Sequence, residues 1–267
     1  MLLLSGGPGL DVDYMMPLAQ DLSGAYRCIL LEQRGTGRSQ PATSTGETIN
    51  LKLLLEDIEA LRSSLKLDRL YVLGHSFGGM LAMAYTAAHP DHVQALVLVA
   101  SGGLDMSFQP VFLNNVMDRA SMSERRKIQE ALAAQGRAAD SKDASSDVFH
   151  LLVPLYFFDR DIGERLIAQG SSAAYHPLTA QLLNVDLQRN YHVDEPLRRF
   201  TGPVLIVQGR QDPMPESVAL QTQAALKHSQ LVFIDRSGHF PWLEQPQAFY
   251  ESLHAFLKID GQAGPGH

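Results

Sequence analysis

The sequence predicts an α/β protein, built on a mostly parallel β-sheet with helices on both faces. Short, continuously apolar runs recur along the chain, and segments with apolar residues at helical spacing separate them. Continuous apolar runs are typical of strands buried on both faces, and their alternation with helices favours parallel pairing. The predicted strands are Leu2–Leu4, Cys28–Leu31, Leu70–Leu73, Ala95–Val99, Val204–Val207 and Leu231–Ile234.

Two helices are predicted between these strands in the first half of the chain. Apolar residues at helical spacing run from Leu51 to Leu65, and Asn50 precedes them as a helix N-cap. The second helix covers Phe77–His89, and Pro90 follows directly, where a helix cannot easily continue.

The strand pattern stops between residues 104 and 200. Helical patterns recur there, and the polar segment GRAADSKDASSD indicates a loop. The helical patterns cover Val111–Arg119, Glu124–Ala134 and Val148–Phe157. We interpret residues 1–103 and 201–260 as two halves of one core, residues 104–200 as an inserted helical cap, and the GQAGPGH segment at 261–267 as a flexible tail.

Composition narrows the functional classes. The 267 residues are 45% hydrophobic and carry a net charge of -7 without a long basic run, which argues against nucleic-acid binding. No run approaches the roughly 18 apolar residues of a membrane helix, and the start lacks the basic region of a signal peptide. We therefore expect a cytoplasmic protein that does not bind membranes. The single cysteine, Cys28, is expected to be a buried core residue.

A Gly-His-Ser-Phe-Gly run at residues 74–78 lies between a predicted strand and a predicted helix. Glycines two positions before and after Ser76 allow a sharp turn that lifts its hydroxyl clear of the sheet. The same turn directs the helix N-terminus at the site, where the Phe77 N–H can bind a developing oxyanion. We predict that Ser76 is a nucleophile and that His75 points away from it as a structural residue.

A nucleophilic serine needs a base and a carboxylate that orients the base. Asp212 follows the next-to-last predicted strand and His239 follows the last one. Catalytic groups of open α/β sheets collect at the carboxyl ends of the strands. The sequence therefore predicts a triad of Ser76, His239 and Asp212, and Asp105 is the alternative acid.

These motifs resemble those of the α/β-hydrolases, and more narrowly those of the proline iminopeptidases. Besides the turn at Ser76, the resemblance is carried by SGGPG at residues 5–9 and EQRGTGRS at residues 32–39, where the family has HGGPG and DQRGxGxS. It implies an α/β-hydrolase fold with the cap inserted between the sixth and seventh family strands. It also implies that the Gly7 N–H joins that of Phe77 in an oxyanion hole.

The chain departs from the family pattern in three places. Ser5 replaces a histidine that buttresses the family's loop, so we expect a looser loop, and Glu32 replaces an aspartate. Arg34 or Arg38 is expected to pair with a nearby acid, which makes that loop a scaffold. The family's first two strands are missing, which would leave strand Cys28–Leu31 as an apolar edge. We expect either a late start or an edge covered by a partner, as in a homo-oligomer.

The predicted reaction is hydrolytic acyl transfer. A serine nucleophile needs no metal or other cofactor, and no His/Cys cluster with ligand spacing occurs. The favoured activity is an aminopeptidase of proline iminopeptidase type that releases a small N-terminal residue from a short peptide. The alternative is a carboxylesterase or another small-molecule acyl hydrolase. A third hypothesis is a non-catalytic binding protein derived from a hydrolase.

An aminopeptidase needs carboxylates that face the pocket and bind a cationic N-terminus. The candidates in the segment YFFDRDIGERL are Asp159, Asp161 and Glu164, beside the aromatic residues Tyr156 and Phe157. Further candidates are Asp194 and Glu195. The alternative interpretation is a solvated helix face over core aromatics. Inward carboxylates would favour a peptide amine, and an apolar interior would favour an ester.

Overall fold

The structure, a computed structural model, describes residues 1–137, 148–168 and 174–258. Its strands are β1 (Leu2–Leu4), β2 (Ile29–Leu30), β3 (Leu70–His75), β4 (Val93–Val99), β5 (Val204–Gly209) and β6 (Ser229–Ile234). They form one sheet in the order β2-β1-β3-β4-β5-β6, with every neighbouring pair parallel. The predicted α/β class and parallel sheet are confirmed, and each predicted strand coincides with an observed one.

The helices follow the predicted alternation with the strands. They are α1 (Met16–Leu22), α2 (Leu51–Ser64), α3 (Phe77–Ala88), α4 (Gln109–Asp118), α5 (Met122–Arg137), α6 (Arg160–Ala168), α7 (Pro177–Asn190), α8 (Asp194–Leu197), α9 (Glu216–Ala225), α10 (Pro241–Glu244) and α11 (Pro246–Leu257). Asn50 caps α2 as predicted, because its side chain accepts a hydrogen bond from the Leu53 N–H. A short 3-10 turn begins at Pro90, just beyond the end of α3.

The sheet is buried on both faces, because successive side chains of a strand point to opposite sides. In β1, Leu2 and Leu4 pack in a core that includes α2 and α3, whereas Leu3 packs in a core that includes α1 and α11. All three leucines are 0% exposed. Full burial of each contributes roughly 1.5–3 kcal/mol, which anchors β1 between β2 and β3.

The register of the strands brings their carboxyl ends together. Leu4 of β1 pairs with Gly74 of β3, and Gly209 of β5 pairs with Ile234 of β6. The loops that follow these four strands therefore leave the sheet at the same edge, and this edge carries the candidate site.

The described residues between β4 and β5 are helices and turns, apart from single bridge residues. α4 and α5 correspond to two predicted helices. The third is helical at residues 148–152 and continues as a 3-10 turn at Val153–Tyr156. In the predicted polar loop, Gly136 and Arg137 belong to α5, and residues 138–147 lie outside the described part. The predicted tail at 261–267 also lies outside it.

Two isolated antiparallel bridges connect this helical segment to the rest of the chain. Leu10, in the loop after β1, bridges Tyr175, and Asp105 bridges His192. The segment also has a small apolar cluster of its own, which consists of Val116, Ala120, Ile128 and Leu155. The helices are thus attached to the sheet at the edge where the strands end.

β2 lies at one end of the strand order, as the resemblance implied. Its residues Ile29 and Leu30 are half-buried, and both pack against the cores. Within the described ranges, no helix is both long and apolar enough to span a bilayer.

Candidate active site

Ser76 lies in the sharp turn between β3 and α3, with φ 54° and ψ -118°. A residue with a side chain rarely adopts positive φ, and such strain of about 1–3 kcal/mol is typical of functional positions. The flanking glycines make the turn feasible. A Cβ on Gly74 would overlap the Gly78 carbonyl, and a Cβ on Gly78 would overlap the Leu4 carbonyl. The predicted turn at Ser76 is therefore present.

The structure brings His239 and Asp212 together. The Nδ1–H of His239 donates to the Asp212 carboxylate, at 2.9 Å from Oδ1 and 3.0 Å from Oδ2. Their side chains are only 5% and 0% exposed, and Asp212 Oδ1 also accepts the Met214 N–H at 2.8 Å. Because Nδ1 is engaged in this way, Nε2 is the nitrogen left for a reacting group.

A cavity of about 320 Å³ contains both Ser76 and His239 in its wall. Among the hydrogen bonds of the described residues, none joins these two side chains. Such bonds are often long before a substrate binds and shorten in the complex. The cavity nevertheless brings a hydroxyl and a carboxylate-bound imidazole to one surface.

Most of the cavity wall is apolar. Its lining includes Met80, Phe108, Phe112, Phe149 and Leu187. The polar side chains on the wall, besides Ser76 and the histidines, are the neutral Gln109, Tyr156, Tyr175 and Asn184. None of the described lining residues carries a carboxylate, an ammonium or a guanidinium group.

Gly7 and Phe77, the residues predicted for the oxyanion hole, both line the cavity beside Ser76. Phe77 is the first residue of α3, so its N–H has no partner within the helix. Gly7 has φ 114°, a conformation open to glycine, and it also lines the cavity. Neither N–H donates in the hydrogen bonds found among the described residues, and their role in an oxyanion hole stays a prediction.

Ser5 holds the loop that carries Gly7. It is fully buried, and its hydroxyl donates to the Leu10 carbonyl at 2.9 Å. The Gln33 side-chain amide donates to the Ser5 carbonyl at 2.9 Å and to its hydroxyl at 3.1 Å. Ser5 is therefore held by three hydrogen bonds, and the loosening expected relative to histidine stays a prediction.

The EQRGTGRS loop has the ion pairs predicted for it. The Arg34 guanidinium donates two hydrogen bonds to Asp57, at 2.9 and 2.5 Å. Arg38 pairs with Glu32 at 3.1 Å. Both predicted pairings are confirmed, and neither arginine lines the cavity at Ser76.

The candidate carboxylates of the helical segment do not reach the cavity. Asp159, Asp161 and Glu164 are exposed, and the buried residue of α6 is Gly163, on another side of the helix. The structure thus contradicts the expectation that these three face the pocket.

Of the remaining candidates, Tyr156 alone lines the cavity. Tyr156 lines the cavity as expected, whereas the Phe157 ring is buried and stacks on Phe240 at 4.8 Å. Asp194 pairs with Arg198, and neither it nor Glu195 lines the cavity.

Asp105, the alternative acid predicted for the triad, has a structural role instead. Its carboxylate accepts the Ser107 N–H at 2.8 Å and caps a 3-10 turn. These hydrogen bonds hold the pKa of Asp105 below its usual value. Asp212, and not Asp105, is the carboxylate bound to His239.

Two charged residues near the site, Glu244 and Arg119, were not predicted from the sequence. The Glu244 carboxylate accepts the Phe158 N–H at 2.7 Å and the Gly238 N–H at 2.6 Å, which ties the helical segment to the loop of His239. Burial raises the pKa of Glu244. Arg119 donates to the carbonyls of Leu155 and Gln211, next to Asp212. Burial lowers the pKa of this guanidinium.

Among the described residues, a cluster with metal-ligand chemistry lies away from the cavity, although the sequence indicated none. The ligand atoms of Glu59, His89 and His92 lie within 4.8 Å of one another. Glu59 is already paired with Arg62 at 2.6 Å and accepts the Tyr85 hydroxyl at 2.8 Å. The hydrogen bond from Arg62 lowers the pKa of Glu59 to about 2. We interpret the cluster as a structural ion-pair network.

Comparisons with known proteins identify the family and the fold. The family described as alpha/beta hydrolase fold matches residues 1–246. A proline iminopeptidase of Saccharolobus solfataricus is 25% identical over 264 residues, covering 96% of this chain and 84% of that protein. A 2-hydroxy-6-oxononadienedioate/2-hydroxy-6-oxononatrienedioate hydrolase of Cupriavidus pinatubonensis is 23% identical over 267 residues, covering 96% of this chain and 86% of that protein.

A solved structure with the same fold is the meta-cleavage product hydrolase of Pseudomonas fluorescens IP01. Its TM-score is 0.73 at 19% identity, with 97% of this chain and 91% of that chain covered. The resemblance to α/β-hydrolases and to proline iminopeptidases is confirmed. The similar proteins nevertheless carry different substrate names at nearly equal identity, so these names do not identify the substrate of this chain.

Proposed function

This chain belongs to the alpha/beta hydrolase fold family, and on that premise we propose that it is a serine hydrolase that cleaves carboxylic esters of small, uncharged acyl groups. One observation carries the choice of substrate. The described wall of the cavity around Ser76 is apolar, and its further polar side chains are neutral. Such a wall accommodates an aliphatic or aromatic acyl chain and offers no counter-charge to an ammonium group.

In the proposed reaction, the Ser76 hydroxyl attacks the ester carbonyl carbon while its proton passes to His239 Nε2. The carbonyl oxygen becomes an anion that accepts hydrogen bonds from the Gly7 and Phe77 N–H groups. When the tetrahedral intermediate collapses, the alcohol leaves with the proton from His239. Asp212 keeps the imidazole oriented and stabilises its charged form.

Water then completes the cycle. It attacks the acyl group on Ser76 and gives a proton to His239, which returns it to the Ser76 oxygen as the carboxylic acid leaves. The atoms balance without a metal or a redox cofactor, since one water is consumed for each ester bond broken.

An aminopeptidase of proline iminopeptidase type is the second candidate. It is favoured by the SGGPG and EQRGTGRS motifs and by the relative from Saccharolobus solfataricus. The same triad would serve it, but a peptide amine needs a carboxylate partner at the cavity. The exposed positions of Asp159, Asp161 and Glu164 weaken this candidate.

A pair of esters that differ only by the amine distinguishes the two candidates. We would compare p-nitrophenyl butyrate with the p-nitrophenyl ester of 2-aminobutyric acid, using the wild-type chain and Ser76→Ala. Burying an unpaired ammonium is unfavourable, so at pH 6, where the amine is mostly charged, kcat/KM should fall by about 10-fold or more for the amino ester. Proline- and alanine-p-nitroanilide provide the amide comparison.

Each outcome selects one account. Ser76-dependent hydrolysis that prefers the butyrate supports the esterase. A preference for the amino ester, with Ser76-dependent cleavage of the anilides, would replace it with the aminopeptidase. Equal rates for wild type and Ser76→Ala on every substrate would contradict both.

A further inference from the structure

A chain of hydrogen bonds runs behind the candidate site and joins two of its loops. The Gly6 N–H donates to the Tyr14 hydroxyl at 2.6 Å, and that hydroxyl lies 2.8 Å from His75 Nδ1. On the other side of the ring, His75 Nε2 lies 2.9 Å from the His239 carbonyl oxygen. This series of hydrogen bonds begins at the N–H of Gly6, one residue before Gly7, and ends at the carbonyl oxygen of His239.

The chemistry of these partners fixes every proton in the chain. A carbonyl oxygen only accepts, so Nε2 of His75 must carry a hydrogen. Burial and the neighbouring His239 disfavour a charged His75 ring, so Nδ1 of the neutral ring accepts the hydrogen of the Tyr14 hydroxyl, which itself accepts the Gly6 N–H. His75 is therefore the neutral Nε2–H tautomer. Burial and the neighbouring His239 lower the pKa of His75, and burial raises the pKa of Tyr14, so neither group loses its role near neutral pH.

Packing leaves the ring little freedom to leave this arrangement. His75 is 1% exposed and has aromatic neighbours around it. The Trp242 ring meets it edge-on at 4.8 Å, and the Phe240 ring lies at 5.0 Å. The sequence predicted that His75 points away from the nucleophile. The structure adds that each ring nitrogen has one hydrogen-bond partner, the Tyr14 hydroxyl at Nδ1 and the His239 carbonyl oxygen at Nε2.

We propose that Tyr14 and His75 are positioning residues that set the distance between the oxyanion loop at Gly7 and the base loop at His239. This inference rests on the proposed function, because it gives both loops their catalytic roles. The two loops follow different strands, β1 and β6, which are not neighbours in the sheet. The hydrogen bonds through Tyr14 and His75 connect these two loops, although the strands before them are not adjacent.

The expected effect follows from how sharply catalysis depends on geometry. A displacement of about 1 Å can reduce turnover by about 100-fold, and productive sites hold their groups within about 0.5 Å. Loss of the Tyr14 hydroxyl leaves the Gly6 N–H and His75 Nδ1 without partners. We expect the loop of Gly7 to relax and kcat to fall at least 10-fold. KM should change less than threefold, since Tyr14 itself does not line the cavity.

The test compares Tyr14→Phe with a matched removal of another buried hydroxyl. Tyr85→Phe serves as the control, because the Tyr85 hydroxyl also makes a 2.8 Å hydrogen bond, to Glu59, outside the cavity. Both variants and the wild type are assayed with p-nitrophenyl butyrate for kcat and KM. Fluorescence of Trp242, the only tryptophan, reports their melting temperatures. Tyr85→Phe should keep kcat within twofold of wild type even where its melting temperature drops.

A second measurement does not depend on how well a variant folds. Nitrogen-proton NMR of the wild-type histidine rings should identify His75 as the Nε2–H tautomer, unchanged between pH 6 and 8. An Nδ1–H tautomer or a titrating His75 would overturn the proposal. So would Tyr14→Phe with kcat within twofold of a wild type whose hydrolysis depends on Ser76. Wild-type activity that does not depend on Ser76 would instead refute the proposed function, and the positioning role with it.

Discussion

Gly7 is the residue at which the proposed oxyanion hole is most easily broken. It has φ 114°, and a Cβ added there would lie 2.7 Å from the Gly9 nitrogen and 2.9 Å from the Leu10 nitrogen. Both neighbours are backbone atoms that cannot rotate away. A Gly7→Ala variant must therefore shift the loop or leave the positive-φ conformation, and either change moves the Gly7 N–H.

The size of the effect can be derived from these contacts. To reach an ordinary contact distance of 3.4 Å from the Gly9 nitrogen, the new Cβ or its neighbour must move by about 0.7 Å. Loss of one oxyanion donor costs about 10²–10³ in turnover, and a misplacement of about 1 Å costs about 10². We therefore expect kcat to fall about 100-fold, which corresponds to about 2.7 kcal/mol in the activation barrier.

The assay is steady-state hydrolysis of p-nitrophenyl butyrate, with Gly46→Ala as the matched control. A Cβ on Gly46 meets nothing within 4 Å, and Gly46 is exposed. This control should keep kcat within twofold of wild type. Melting monitored by Trp242 fluorescence separates a local change at Gly7 from general unfolding.

The reasoning would be refuted by a folded Gly7→Ala enzyme whose kcat stays within twofold of wild type. That result would show that the Gly7 N–H takes no part in stabilising the oxyanion. A rise in KM with unchanged kcat would assign Gly7 to substrate binding alone.

Two further predictions concern carboxylates with different roles. Asp212→Asn should lower kcat by roughly 10⁴-fold, because the amide no longer holds the required tautomer of His239; a loss below 10-fold, measured with p-nitrophenyl butyrate, would contradict the triad. Glu59→Gln should lower the free energy of unfolding by about 1–2 kcal/mol at pH 7. The pKa of Glu59 is lowered to about 2 in the folded chain, so its contribution is present above the unfolded pKa of about 4.5 and is lost as pH falls toward 2. Urea unfolding of wild type and Glu59→Gln from pH 7 to pH 2.5 measures their difference in the free energy of unfolding. A difference that does not vary with pH would contradict the prediction.

The positions of Ser76, Asp212 and His239 could be predicted because parallel strands impose them. Each apolar run identifies a strand, and each loop after a strand leaves at the same edge of the sheet. Glycines around Ser76 then indicate the sharp turn. These signals are local in sequence, so one chain is sufficient to find them.

The role of the helical segment could not be predicted in the same way. Periodicity in α6 separates two helix faces, but it does not identify which face meets the cavity. The structure buries Gly163 and leaves Asp159, Asp161 and Glu164 exposed. That orientation depends on packing against distant residues, as in the contact between the Phe158 N–H and Glu244, 86 positions away.

The hydrogen bonds through Tyr14 and His75 had no sequence signal, because they also join residues that are distant in the sequence. Tyr14 lies in a 3-10 turn before α1, and 61 positions separate it from His75. Only the assembled sheet brings them to 2.8 Å. Similarly, the hydrogen bonds from Gln33 to Ser5 had no sequence signal, because Gln33 belongs to another loop.

The central claim is that Ser76 is the nucleophile, and covalent labelling tests it most directly. The wild-type chain would be treated with an alkyl p-nitrophenyl phosphonate, followed by intact-mass analysis and peptide mapping. The account predicts one phosphonyl group per chain on Ser76, with ester hydrolysis lost in proportion to labelling and no adduct on Ser76→Ala. Labelling at another residue, or full activity in the labelled protein, would contradict it.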